Sequence, residues 1–161
     1  MERQVWEEAI AQATEYVGGW HEENFTWEIR GKYLLLKKRE TGGGGSSYET
    51  VSSYIIDTAL VKRLTIDDII IDSGNSNLQE LLWSRLLPQA EGLGWITLSE
   101  QDFFPLEGGM SFSSIFFEGP SLVFHWDKGT VRANAVGAFE VSLQLSEVLP
   151  FLTDAGREIL D

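Results

Sequence analysis

The sequence predicts a single α+β domain with an N-terminal helix, an antiparallel sheet ending in a C-terminal strand meander, and one or two helices packed on the sheet. Three observations lead to this fold class. The first residues repeat apolar side chains at helical spacing, strand-like runs are separated by glycine turns, and the C-terminal strand-like runs are rich in Phe, Val and Leu. Helix-sized segments occur singly between runs of strands, which favours α+β over a βαβ series. The 161 residues fit one domain.

The N-terminal helix is predicted over residues 2–17 and, with its terminating glycines, occupies residues 1–20. Its apolar positions are one, three and four residues apart, and acidic or polar side chains stand between them. This spacing is typical of an amphipathic helix, which Gly18-Gly19 would end. The apolar residues are Val5, Trp6, Ala9, Ile10, Ala13, Tyr16 and Val17.

The next segment predicts a β-hairpin followed by a third strand. Phe25–Ile29 alternates apolar and polar residues, Arg30-Gly31 supplies a turn, and Tyr33–Lys38 forms the second strand. The glycine-rich run Thr41–Ser47 precedes another strand-like run, Tyr48–Asp57. We interpret the glycine run as a strand connection, because a phosphate-binding loop would need a following Lys-Ser/Thr and a helix start.

Helical signals occupy the middle of the chain. Thr65 can cap a short turn whose first positions are acidic. A longer helix is predicted over residues 77–87, where Pro88 and Gly92 are expected to end it. Residues 99–102 resemble a capping box and predict another short turn.

The C-terminal part carries the clearest β signal. Met110–Phe117, Ser121–Trp126 and Ala138–Leu145 form the predicted meander. Ser146 is expected to cap a short helix after it, and a final turn is predicted over residues 153–160.

The net charge of −13 is carried mainly by one part of the sequence. Residues 64–161 hold 15 acidic and 4 basic side chains, whereas residues 1–63 are nearly balanced. Such a field repels nucleic acid and anionic membranes and favours a basic protein partner, although it would also serve simply to keep the domain soluble. No stretch approaches the ~20 apolar residues of a membrane span, so we expect no membrane insertion.

Several segments occur in the order of a known domain family. Thr41-Gly42-Gly43 and Leu64–Ile69 come first, and Ser121–Asp127, Ala135–Leu143 and Leu145–Leu149 follow. Together they resemble an extracytoplasmic family of unknown function. That family is found at the C-terminus of the lysozyme-sensing anti-sigma factor and in a non-catalytic part of some peptidoglycan deacetylases. The likeness spans residues 25–152.

The resemblance implies an α+β, non-catalytic module that binds a protein such as a lysozyme. Two departures bear on the ligand. The family's Ala-His is Gly44-Gly45 in this chain, and its Pro-Tyr after the closing strand is Lys128-Gly129. A surface that used that Tyr would be altered here.

Residue types that could catalyse a reaction or bind a metal are few. The chain has no Cys, and its histidines are His21 and His125. His125 and Asp127 share one face of a predicted strand, which implies no catalytic geometry by itself. The acidic residues near position 67 lack the alternating oxygen ligands of a calcium loop. We therefore predict a non-enzyme without catalytic residues, metal or cofactor, in which His125 is structural or lies at the surface.

Recognition is predicted at the polar connection 127–134, because loops held by a rigid sheet often carry binding residues. Trp95 is a further candidate binding residue. Like Trp20, it is flanked by glycine and is therefore a better candidate for exposure than the other tryptophans. The candidate partner-binding residues are Asp127, Lys128, Gly129, Arg132, Asn134 and Trp95.

Three functions stay open at the level of sequence. The first is a module that binds a basic cell-wall hydrolase such as a lysozyme. The second is an immunity or antitoxin-like protein that neutralises a toxic enzyme. The third is a hydrolase that uses His125 with nearby carboxylates, which would require a deep pocket at that residue. The chain as written is expected in the cytoplasm, whereas a leader before Met1 would place it outside; its oligomeric state is left open.

Overall fold

The computed structural model describes residues 20–43, 47–92, 112–127 and 138–160. The predicted helix over 2–17, the turn at 99–102 and residues 128–134 of the recognition loop lie outside them. The described part begins with a strand at Trp20, so the N-terminal helix is not part of the described fold. Antiparallel sheets combined with a few helices confirm the α+β class.

The first sheet contains β1 (Trp20–Arg30), β2 (Tyr33–Gly43), β3 (Ser47–Asp57) and β4 (Lys62–Leu64), in that order and antiparallel. The β1–β2 hairpin confirms the predicted one, with longer strands. It closes at the pair Arg30↔Tyr33 across two residues, of which Gly31 has a φ of +55°. A positive φ at the first loop position is the signature of a type II′ turn, which glycine adopts without strain.

The glycine-rich run connects β2 to β3, as predicted. Pairing between these strands extends from Tyr33↔Asp57 to Gly43↔Ser47. Near the end of the hairpin, a Cβ at Gly42 would lie 2.6 Å from the Tyr48 hydroxyl. Glycine at this position therefore lets the Tyr48 ring lie against β2.

The second sheet is the predicted C-terminal meander. It contains β5 (Ser114–Glu118), β6 (Ser121–Trp126) and β7 (Phe139–Gln144), in that order and antiparallel. Gly119 has a φ of +54° and precedes Pro120, which again gives a type II′ turn. All six residues of β6 are buried, because this central strand is covered on both faces.

Two helices lie between the sheets in the part of the sequence that the structure describes. Helix α1 (Ile66–Ile69) begins at the predicted cap Thr65. Helix α2 (Ser76–Gly92) is longer than predicted, because Pro88 lies inside it and does not end it. A proline removes one backbone hydrogen bond from a helix and can bend it. Pro88 lies at an exposed position of α2.

The C-terminus contains α3 (Leu145–Val148), a 3₁₀ turn over Leu149–Phe151, and α4 (Asp154–Leu160). The cap of α3 is Gln144, which corrects the prediction of Ser146. The Gln144 backbone amide donates to a carboxylate oxygen of Glu147 at 3.0 Å, and this bond places the helix cap two residues before Ser146.

The main core lies where the helices and one face of each sheet meet. Leucines of α2 and alternate residues of β6 are fully buried there, and the inner face of the first sheet adds apolar side chains at one end. None of the described helices combines the length and the hydrophobicity that a membrane crossing needs. The central residues are Tyr33, Leu35, Ile55, Leu78, Leu82, Leu86, Leu122, Phe124 and Trp126.

Candidate functional site

Asp127 marks the point where the meander leaves β6, and three neighbouring segments hold it. Its backbone amide donates to the hydroxyl of Ser113 at 2.9 Å. One of its carboxylate oxygens accepts from the Val51 amide of β3 at 3.4 Å and lies 3.0 Å from Nε2 of His125. The first residue of the predicted recognition loop is therefore a fixed point where the two sheets meet.

His125 is fully buried beside Asp127 and joins it to a second carboxylate. Its Nδ1 lies 3.0 Å from Oε1 of Glu140, which is the register partner of His125 on β7. The spacing of two residues along β6 places His125 and Asp127 on the same face, as the sequence indicates. The Glu140 contact comes from strand pairing, which the sequence alone did not reveal.

Arg39 extends this network to the first sheet. Its guanidinium donates to Oε1 of Glu140 at 2.7 Å and also forms an ion pair with Glu49 of β3. The hydrogen bond from His125, together with the positive charge of Arg39, lowers the pKa of Glu140 although burial acts in the opposite direction. Asp127, His125, Glu140, Arg39 and Glu49 therefore form one polar network of five side chains between the two sheets.

The imidazole of His125 is oriented but enclosed. Both ring nitrogens lie 3.0 Å from a carboxylate oxygen, so neither is free to contact another molecule. A general base must also reach its substrate, whereas the His125 side chain has no exposed surface. Two carboxylates do converge on this residue, but the arrangement is that of a structural ion network.

A polar groove lies next to Asp127. Its volume is about 470 Å³, and it is bordered by β3, by the segment leading into α1, and by the start of β5. Six of the fourteen residues that border it are serine or threonine, and Arg63 lies at one side. The groove therefore offers hydrogen-bonding groups and one cation beside the root of the loop.

The connection that starts at Asp127 is much longer than the strands require. Trp126 pairs with Phe139, so twelve residues separate two paired neighbours. Two residues are enough to close an antiparallel pair, as at Gly119-Pro120. Loops of this length in compact domains are commonly functional. Of the predicted partner-binding residues, only Asp127 is described; Lys128, Gly129, Arg132, Asn134 and Trp95 lie outside the described residues.

A group of potential metal ligands lies at the end of the first sheet that is away from the β1–β2 turn. His21, Glu23 and Glu40 bring one ligand atom each within 4.8 Å of the others. The ammonium of Lys38 lies 2.8 Å from Glu23 and 2.9 Å from Glu40. Lys38 therefore already supplies the cation that these carboxylates neutralise.

Sequence reasoning missed several residues that matter for this geometry. Arg39, Glu49 and Glu140 join the network through contacts that span up to 101 residues, and no local pattern points to them. Trp20 is 57% exposed, in line with expectation, but Trp27 is 69% exposed although its alternating pattern indicated a core position.

The solved structures that are similar to this fold include two DUF3298 proteins. A DUF3298 family member from Bacteroides fragilis NCTC 9343 aligns with a TM-score of 0.55 and 14% identity, over 92% of this chain and 61% of its own. A DUF3298 family protein from Pseudomonas aeruginosa PAO1 aligns with a TM-score of 0.61 and 10% identity, over 92% of this chain and 68% of its own. No family model matches the sequence, and no curated protein matches it.

At these identities the likeness concerns the fold. The chain spans about three fifths of the length of the Bacteroides protein. The expected kinship with a domain of unknown function is confirmed at this level, while the link to the anti-sigma factor stays a proposal. The chain thus has the fold of proteins in the DUF3298 family.

Proposed function

We propose that this protein is a non-catalytic binding module that recognises a basic protein through the loop rooted at Asp127. The observation that carries the proposal is the twelve-residue connection between Trp126 and Phe139, two residues that pair directly. Such an excess of chain is costly to order unless it contacts something, and its base is held rigidly by His125, Ser113 and Val51.

The chemistry of the partner follows from charge. The chain carries −13 overall, concentrated after residue 63, and this field attracts a basic protein and accelerates its encounter. The resemblance to the lysozyme-sensing family suggests a cell-wall hydrolase such as a lysozyme as the partner. A basic toxic enzyme, neutralised in the manner of an immunity protein, meets the same charge requirement.

The decisive experiment shortens the loop and leaves its root intact. Residues 128–137 are replaced by Asn-Gly, which keeps Asp127 and Ala138 and leaves a four-residue hairpin connection. Binding to a c-type lysozyme and to succinylated lysozyme, whose charge is reversed, is measured by calorimetry. We expect the wild type to bind only the unmodified lysozyme and the shortened variant to lose at least about tenfold in affinity.

The matched control shortens the other long hairpin, with Gly44-Gly45-Ser46 replaced by Asn-Gly. This variant should bind like the wild type. A triple substitution of Lys128, Arg132 and Asn134 by Ala removes two positive charges, which by itself should favour a basic partner. A loss of affinity in this variant would therefore show that these side chains contact the partner directly. If the shortened variant unfolds like the wild type and binds lysozyme with the same affinity, recognition by this loop is refuted. If the affinity does not change with salt concentration, the role of the acidic field is refuted.

Hydrolysis at His125 is the second candidate, because two carboxylates converge on this imidazole. The full burial of the ring weighs against it. A binding module should keep its affinity for the partner in His125→Gln, provided that the variant folds, whereas a hydrolase would lose turnover of bound peptidoglycan or protein.

A further inference from the structure

The outer face of the first sheet is apolar near the β1–β2 turn, and no other described element covers it there. β2 residues with odd numbers face the core and the second sheet, so the even-numbered residues face away from it. Strand register aligns the outward side chains of neighbouring strands in rows. One row joins Trp27, Leu36 and Tyr54, and the next joins Ile29, Leu34, Ile56 and Arg63.

The largest side chains of this face are strongly exposed. Trp27 is 69%, Ile29 63% and Phe25 48% exposed to solvent. Three adjacent outward positions of β1 are thus a tryptophan, an isoleucine and a phenylalanine, backed by leucines on β2. A sheet with one face this apolar normally packs that face against another layer, and contiguous exposed patches of this kind mark a contact surface.

We propose that residues 2–17 of the same chain form a helix that packs on this outer face. Their apolar residues fall within an arc of about 140° at helical spacing, which is the width of a helix face that covers a sheet. Glu7, Glu8 and Glu15 lie on the opposite side of that helix and would face water.

The geometry of the connection fits this occupant. Gly18-Gly19 separates the helical segment from Trp20, the first residue of β1, and paired glycines allow the chain to reverse sharply. Sixteen helical residues are about 24 Å long. The outward residues of β1 from His21 to Ile29 span about 27 Å. A helix that runs back along β1 would therefore pass the polar positions His21 and Glu23 and still be long enough to cover Phe25, Trp27 and Ile29.

The short tether also favours this occupant over a second copy of the chain. Docking of a segment joined by two residues is intramolecular, with an effective concentration in the millimolar range or above. A second copy at micromolar concentration would have to compete with it for the same apolar surface. The proposal concerns a different surface from the loop at Asp127 and stands independently of the proposed function.

The test uses the full chain, which has no cysteine of its own. Phe25→Cys is combined with Trp6→Cys or Ala9→Cys on the apolar side of the predicted helix, or with Glu7→Cys or Glu8→Cys at about the same height on its polar side. After mild oxidation, we expect the first two pairs to form an intramolecular disulfide at least about tenfold more than the other two. Equal yields, or no cross-link in any pair, would overturn the proposal, as would cross-links that appear only in covalent dimers.

A second measurement uses a single cysteine and therefore does not depend on how a cysteine pair is placed. With Phe25→Cys alone, alkylation should be at least about tenfold slower than at Val61→Cys, a position that is 87% exposed. Ile10→Glu should remove this protection, whereas Ala11→Glu should preserve it. An alkylation rate at position 25 equal to that at position 61, in the otherwise unchanged chain, would overturn the proposal.

Discussion

The two histidines of the chain stand in opposite environments, which allows a direct test of the role of His125. His125 is fully buried between Asp127 and Glu140, whereas His21 lies on the exposed strand β1. We expect His125→Leu, a change that keeps side-chain volume, to lower the free energy of unfolding by about 2–4 kcal/mol, because Asp127 and Glu140 each lose one hydrogen-bond partner at a buried position. His21→Ala, the control, loses the contacts of its ring with Tyr48 and Glu23 and should cost no more than about 1 kcal/mol. Urea unfolding at neutral pH measures both, and equal losses would contradict the structural role.

At the residue scale, the sequence predicts what depends on neighbours along the chain. The spacing of His125 and Asp127 put them on one face, and the structure joins them at 3.0 Å. Arg39 and Glu140 are 101 residues apart, so their contact depends on how the two sheets pack. Trp27 illustrates the same limit: alternation predicts which residues share a face, but only packing decides whether that face is covered.

At the scale of one element, the capping box of Thr65 and Asp68 that starts α1 makes a pH-dependent contribution to the free energy of unfolding. One Asp68 carboxylate oxygen accepts from the Thr65 amide and hydroxyl, both at 2.8 Å, and the other accepts from Lys62 at 2.8 Å. The bond from Lys62, followed by those from Thr65, lowers the pKa of Asp68 from 3.8 to about 2. Because the folded pKa is depressed, the stabilisation is present above 3.8 and is lost as the pH falls through about 2.

Asp68→Asn should therefore cost about 1 kcal/mol at pH 6, the usual contribution of such a cap. The difference from the wild type should shrink between pH 4 and pH 2, roughly the interval between the two pKa values. Urea unfolding across this range measures it, with Asp67→Asn of the same turn as the control. A deficit for Asp68→Asn that stays constant to pH 2 would show that the charge of Asp68 does not stabilise α1.

Turn chemistry was the most predictable feature at this scale, and helix ends were the least. Gly31 and Gly119 each lie in a turn between two strands, as the sequence pattern indicated. Pro88 did not end α2, because a proline breaks a helix only if the rest of the turn cannot compensate for one missing bond. The cap of α3 moved to Gln144, since a glutamate three positions later completes the box there.

For the whole molecule, the charge of −13 predicts opposite responses of stability and binding to salt. Salt weakens the repulsion among excess carboxylates, and it weakens surface ion pairs such as Lys37–Glu118 as well. Isolated exposed pairs contribute about 0–1 kcal/mol each, so relief of the general repulsion should dominate.

Raising NaCl from about 20 mM to about 500 mM, where the Debye length falls below ~5 Å, should therefore raise the midpoint of thermal unfolding by a few degrees. The same change should weaken binding to a basic partner by at least about tenfold, mainly through slower association. Calorimetry and stopped-flow mixing in one buffer series measure both, and an equimolar series in sucrose controls for solute effects. A midpoint that falls with salt would mean that attractive pairs outweigh the net charge, and the acidic surface would then be explained by internal ion pairing rather than by a basic partner.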